Sequence, residues 1–325
     1  AAKMIVEVAK TQDSECGDGT TTAVIFAGEL LKNAEELLNK GVHATAIGNG
    51  YRRAATEAEA TLQKYSRPIR RNETAKLRAV AVTAMTGKSS EAMAEFLAEI
   101  TVSAVRSVAE SSDRNMTVDR DDIKIQKKQG ASIGDTELVT GIILDKEPVH
   151  TGMPRRIEKA KVALVDAAFE IRKTEFDAKI QINDPSQVQA FLDQEEDTLR
   201  KLVTKVKKAG ANGVVCQKGI DDLAQHFMAK QDIMAIRRAK KSDMEALARA
   251  TGGSIVSSID SISKDDLGAA GLVETRRIGD DDMTFITNCS NPKSVSILVR
   301  GGTEHVIDEI ERNLEDAIGV VSLVI

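Results

Sequence analysis

Two hydrophobic periods divide this chain. Up to about residue 110 apolar side chains recur at helical spacing, whereas from 161 onward short apolar runs alternate with amphipathic stretches. Residues 1–66 read as helical. Val24, Ala27, Leu31, Ala34 and Leu38 share one face, Gly41 supplies a stop, and a further helix is expected over 45–65 before "SRPIRRNE" breaks the pattern. Two more helices are expected over 75–85 and 91–110, the second with Met93, Leu97, Ile100 and Val108 on one side. "DDIKIQKKQG" and "TELVTGIILD" then switch to strand-like alternation, placing a boundary near 145.

Beyond 161 the strands are "KVALVDAAF", 213–218, 233–238 and 254–258, with helices over 185–209, 220–230 and 242–250 between them. Such alternation indicates a parallel-sheet α/β domain. "ETRRIGDDDMTFIT" reads as a hairpin with an acidic turn at 280–282. A last strand, "SVSILVRG", leads into a long helix from 305 to about 320.

The helix over 185–209 is unusual. Asp184 can cap it, Pro185 suits its first position and Gly210 ends it, giving a length of about 37 Å. Leu199, Leu202, Val203 and Val206 form one apolar patch, and Val188, Phe191 and Leu192 form another. Either both patches are core, or the first half extends beyond its own domain and docks elsewhere.

Composition excludes several classes of function. With seven Phe, two Tyr and no Trp among 325 residues, the core is aliphatic and base stacking on single-stranded nucleic acid has little to work with. A net charge of −5 gives no general attraction to nucleic acid or anionic membranes. Cys16, Cys216 and Cys289 are odd in number and far apart, without a CxxC or Cys/His cluster, which fits a reducing cytoplasm and neither a disulfide framework nor a zinc site. No apolar run has the length of a membrane span. The chain starts inside an amphipathic pattern and stops inside "VVSLVI", so it is expected to be part of a longer protein.

The stretch "ECGDGTTTAV" (15–24) is the candidate site. Glycines permit a turn that other residues resist, the threonines can cap the following helix, and Asp18 brings a carboxylate to its N-terminus. A helix N-terminus suits phosphate oxygens, and one carboxylate suffices for Mg²⁺ that keeps waters and phosphate ligands. On the residues alone it is a capped turn or a seat for phosphate and metal, and the GxxxxGK[ST] loop is absent. The four histidines, His43, His150, His226 and His305, lack metal-binding spacing. Asp221/Asp222 and Asp265/Asp266 fall at helix starts or turns, where capping explains them. "RRAKKSD" (237–243) reads as a strand end leading into a capped helix. Periodicity alone makes Asp316 a solvated helix residue and Lys88 a loop lysine.

Four stretches together resemble one family in the same order along the chain: "AAKMIVEVAKTQD…GDGTTTAV", "QKGIDDLAQHF", "KKSDMEALARATG" and "RGGTEHVIDEIERNLEDA". They are similar to the group II chaperonins, the archaeal thermosome and its eukaryotic cytosolic relatives. The resemblance implies a multidomain α and α/β chaperonin fold. Residues 1–73 would be a partial all-α equatorial domain, 74–143 and 294–325 the two halves of an α+β intermediate domain, and 144–293 an α/β apical domain with the helix over 185–209 as its protrusion. It further implies a cytoplasmic, ATP-dependent chaperone subunit that folds non-native proteins in a stacked double ring, with ATP and Mg²⁺ as cofactors and other chaperonin subunits as partners. Asp18 would hold Mg²⁺, Gly17, Gly19, Thr20, Thr21 and Thr22 would cradle phosphates, Asp316 would orient or deprotonate water, and Lys88 would approach the γ-phosphate. The family's other nucleotide-site and equatorial segments would lie outside these 325 residues. The alternatives are a passive module that binds unfolded protein without ATPase activity and a metabolic phosphotransferase.

Overall fold

Helix formation begins at once. In the computed structural model, which describes residues 2–70, 72–88, 91–112, 115–171, 185–289 and 292–325, α1 (Ala2–Cys16), α2 (Thr20–Asn39) and α3 (Ala44–Tyr65) follow one another as the apolar spacing predicts. Gly41, at φ +86°, turns the chain after α2, and His43 caps α3 by accepting from the Thr45 N–H at 3.2 Å. Next come α4 (Thr74–Met85) and α5 (Ala94–Val108), the latter shorter than expected because a 3₁₀ turn occupies Glu91–Met93. Two short strands, β1 (Glu110–Ser112) and β2 (Asn115–Thr117), form a ribbon.

The chain continues through β3 (Ile123–Gln129), β4 (Glu137–Val139), β5 (Gly141–Leu144), β6 (Arg156–Val165), α6 (Pro185–Ala209), β7 (Gly213–Cys216), α7 (Asp222–Lys230), β8 (Met234–Ile236), α8 (Lys241–Thr251), β9 (Ile255–Val256), β10 (Gly268–Ile278), β11 (Asp281–Thr287), β12 (Val295–Gly301) and α9 (Glu304–Val324). Two compact units result. One comprises Ala1–Val105, Ser111–Arg120 and Glu309–Ile325, the other Arg106–Glu110 and Asp121–Asp308.

In the first unit most of the buried side chains come from α4, α5 and α9, among them Leu77, Met85, Leu97, Val105, Leu314 and Val321. Each such side chain contributes about 1.5–3 kcal/mol when fully buried. Helices α1 and α2 bury no residue and α3 only Ile47, so Met4, Ile25, Phe26, Leu62 and Tyr65 stand exposed.

The second unit holds two sheets. The smaller has the order β3-β12-β4, with β12 parallel to β3 and antiparallel to β4. The larger runs β5-β11-β10-β6-β7-β8, with β9 also on β6. Strands β6, β7, β8 and β9 pair in parallel, as the alternation predicts, but β5, β11 and β10 join them antiparallel, so the sheet is mixed. The hairpin turn is also tighter than expected. Ile278 faces Asp281, leaving Gly279 and Asp280 as the turn and putting Asp281 and Asp282 in β11.

Alternation along β6 shows why this domain has two helical layers. Val162 and Leu164 pack in the cluster that holds Met244, Leu247 and Ala250 of α8. Ala163 and Val165 pack in the cluster that holds Leu199, Val203 and Val206 of α6 and Phe227 and Met228 of α7. Successive strand side chains point to opposite faces, and both faces of β6 are covered. The multidomain α and α/β organisation expected from the sequence is the organisation observed.

Helix α6 has the bounds read from the sequence, and Leu199, Val203 and Val206 of its second patch are fully buried. The side chains of Val188, Phe191 and Leu192, and the cap expected at Asp184, lie outside the described residues. Asp221 caps α7 by accepting from the Leu223 N–H at 2.9 Å, and Asp266 forms a capping box with Ser263, whose hydrogen bonds hold its carboxyl below the usual range. The expected cap on α8 is not found. Lys240 occupies the cap position without a side-chain bond, and Asp243 sits inside the helix.

The three cysteines are free. Burial pushes the thiols of Cys216 and Cys289 up to about 11. Since the thiolate is the nucleophile, a thiol reagent at pH 8 is expected to label half-buried Cys16 well before the other two, as peptide mapping would show. Equal labelling of all three would contradict the packing. Among the described residues no helix is long and apolar enough to cross a membrane.

Candidate functional site

Helix α1 ends because Gly17, at φ +75°, donates its N–H back to the Asp13 carbonyl at 2.8 Å. Gly19, at φ +84°, is the cap residue of α2, and no side chain caps the helix. This corrects the expectation that a threonine caps it. Thr20, Thr21 and Thr22 are the first three helical residues, and the first ladder bond runs from the Ala23 N–H to the Gly19 carbonyl at 2.9 Å. The amides ahead of it stand at the positive end of the helix dipole, where an anion is favoured. Thr20 is half-buried, and Thr21 and Thr22 are exposed. Gln12 fixes the turn by donating from Nε2 to the Asp18 carbonyl at 2.9 Å.

Lys88 and Asp316 come to the same place within the first unit. Thr86 ends α4, Gly87 turns the chain at φ +76°, and Lys88 follows. Its ammonium Nζ lies 2.5 Å from Asp316 Oδ2 and 3.5 Å from Asp18 Oδ1. Lys88 is the loop lysine that the sequence suggests, but Asp316 is not the solvated helix residue that periodicity alone suggests, and each side chain is only 27% exposed. Asp316 lies on α9 beside buried Asn313, Leu314 and Ala317. Burial raises its pKa above the usual carboxylate range, the charges of Asp18 and Asp13 push the same way, and the Lys88 bond opposes them.

The structure therefore brings Asp18, Lys88 and Asp316 together beside the N-terminus of α2, where Gly19 and Thr20–Thr22 also lie. Gly17 plays a different part from its neighbours. Its N–H is engaged with Asp13, and its missing side chain faces the backbone of Gly319 on α9. Sequence reasoning did not single out Gly319 or Gln12. The apolar run "VVSLVI", which carries the helix past Gly319 rather than letting it stop there, is the available signal for the first.

Chemically, the cluster offers one carboxylate at an uncapped helix N-terminus and a second carboxylate with raised pKa, bridged by an ammonium. Such groups suit a phosphorylated ligand with a divalent cation. Mg²⁺ asks for only one or two protein carboxylates, so the absence among the described residues of a cluster of three His, Cys, Asp or Glu is no obstacle.

Residues 1–325 match the TCP-1/cpn60 chaperonin family. This chain belongs to it. The thermosome subunit beta of Archaeoglobus fulgidus is 56% identical over 322 residues, covering 99% of this chain and 59% of the relative. The thermosome subunit alpha of Thermoplasma acidophilum is 54% identical, again over 99% of this chain and 59% of the relative. This chaperonin chain thus spans 59% of the length of those relatives. An open-state monomer of a group II chaperonin from Methanococcoides burtonii is 41% identical, with a TM-score of 0.68 over 94% of this chain and 70% of that one. The resemblance to a group II chaperonin subunit, and the chaperonin fold it implies, are confirmed.

Proposed function

We propose that this chaperonin chain works within an ATP-hydrolysing chaperone subunit that assembles with other subunits into a stacked double ring in the cytoplasm and folds non-native proteins. The observation that carries the reading is the Lys88 ammonium spanning Asp18 and Asp316 beside the uncapped start of α2. In this reading residues 1–73 are equatorial, 74–143 and 294–325 intermediate and 144–293 apical, with α6 belonging to a built-in lid.

Asp18 would hold Mg²⁺, and Gly19 with Thr20, Thr21 and Thr22 would receive phosphate oxygens on backbone and hydroxyl donors. Gly17 would shape that cradle. The ion would supply neutralisation of phosphate charge. Asp316 would orient the attacking water and take its proton, and a carboxylate whose pKa is raised by burial is a better base for that task. Lys88 would meet the γ-phosphate, its ammonium already standing between the two carboxylates. Phosphoryl transfer needs such positioning and charge more than covalent chemistry.

Replacing Asp18 by alanine is expected to weaken Mg-ATP binding by at least about tenfold, the effect of losing a charge-assisted contact of 1.5–3 kcal/mol. Isothermal titration with and without Mg²⁺ measures it. Unchanged affinity would remove Asp18 from the site. Light scattering with Mg-ATP tests the ring: a particle many times the chain mass supports it, and a monomer without turnover leaves a passive binding module.

A further inference from the structure

Gly17 and Gly319 are both buried, and their backbones meet with no side chain between them. A Cβ on Gly319 would stand 2.9 Å from Gly17 Cα, and one on Gly17 would stand 2.8 Å from Gly319 Cα. Cβ atoms essentially never approach so closely, and the atoms in the way are backbone, which cannot swing aside. Gly319 lies inside α9, where glycine costs about 0.5–1 kcal/mol relative to alanine. The crossing gives that cost a reason. Arg120 packs over it, with Nη1 3.3 Å from the Gly319 Cβ position and 3.4 Å from that of Gly17.

The two glycines are adjacent to the two carboxylates. Asp18 directly follows Gly17, and Asp316 precedes Gly319 by three residues, which puts both on one face of α9. We propose that Gly319 is a positioning residue: its contact with Gly17 sets the separation of the Asp18 and Asp316 carboxylates at which one Lys88 ammonium reaches both. A methyl group at 319 pushes α9 off the α1–α2 turn, and Lys88 then holds one carboxylate and loses the other. The catalytic consequence rests on the ATP reading above, whereas the geometric one does not.

Zero-length carbodiimide coupling tests the geometry in the intact chain without nucleotide, because it joins only amines and carboxylates already in contact. Mass spectrometry of the wild-type protein is expected to find Lys88 joined to Asp316 and to Asp18. Gly319→Ala is expected to retain its helical content and lose one of the two links by at least about tenfold, as displacements near 1 Å do to close-contact chemistry. Both links at wild-type yield in Gly319→Ala would overturn the proposal. Arg120→Ala, which leaves the backbone crossing intact, is expected to keep both. Their loss in that variant would overturn the proposal by assigning the spacing to Arg120. Mg-ATP titration separates the two readings. If wild-type protein binds no Mg-ATP while the links behave as expected, the crossing stands and the ATP reading falls. If binding holds and Gly319→Ala leaves the links unchanged, the crossing alone falls.

Discussion

Asp316→Asn is expected to lower ATP turnover by about 10²–10⁴-fold, the usual contribution of a positioned general base, with Mg-ATP affinity nearly unchanged. The amide keeps the size and the Lys88 contact but takes no proton. Single-turnover hydrolysis, measured beside nucleotide titration, separates the two quantities, and unimpaired turnover would refute the role. The pH profile gives a second check. Asp316 has its pKa raised chiefly by burial, so the acid limb of turnover is expected above the ordinary aspartate value of about 3.9. The folded state binds this proton more tightly than the unfolded state, so the stability from protonated Asp316 is present below the unfolded pKa. It is lost as pH rises through the raised folded one.

Asp243→Ala is expected to destabilise the second unit by about 3–5 kcal/mol, the cost of removing one partner of a buried pair. Asp243 on α8 is 7% exposed and meets Lys124 Nζ of β3 at 2.6 Å. Lys124 also donates to the Ile143 carbonyl at 2.9 Å, so its ammonium is held in place and stays behind without its counter-charge. A second pair, Arg249 with Asp122 at 2.8 Å, joins the same helix to the start of the same strand. Urea unfolding measures the loss. A drop below about 1 kcal/mol would class the pair with solvent-screened surface bridges. Replacing Lys124 by Met and Asp243 by Leu together is expected to recover most of the stability, because no charge is then left unpaired.

What could be read from the sequence was what local chemistry decides. Helix α6 was placed to the residue because Pro185 and Gly210 fix its ends, and α2 and α3 follow from spacing alone. The β10–β11 hairpin is legible in "ETRRIGDDDMTFIT", but its antiparallel docking on β5 and β6 is not, since strand order depends on pairings such as Thr284 with Leu144 that no local signal encodes. None of the three threonines caps α2, because Gly19, in a left-handed conformation, takes that position first. The candidate site was half legible. Asp18 sits in a recognisable turn, whereas Asp316 looks like a solvated helix residue and Lys88 like a loop lysine until the fold brings them together across 228 positions. Only the family resemblance names them.

Strand β12 lies between β3 and β4 and pairs with β3 at Ile123 opposite Val295, a closure spanning some 172 positions, as in the Ser294 bond to the Asp122 carbonyl. During synthesis at about 5–20 residues per second, the ribosome would deliver β12 roughly 10–30 s after β3. For that interval β3 has no central partner, and a bare strand edge invites other chains. Its sequence, IKIQKKQ, places three lysines on seven residues. Lys124, Lys127 and Lys128 later bind Asp243, Asp308 and Asp281, carboxylates that emerge well after them. The charges that keep a waiting strand in water are those that later fasten it into the finished sheet.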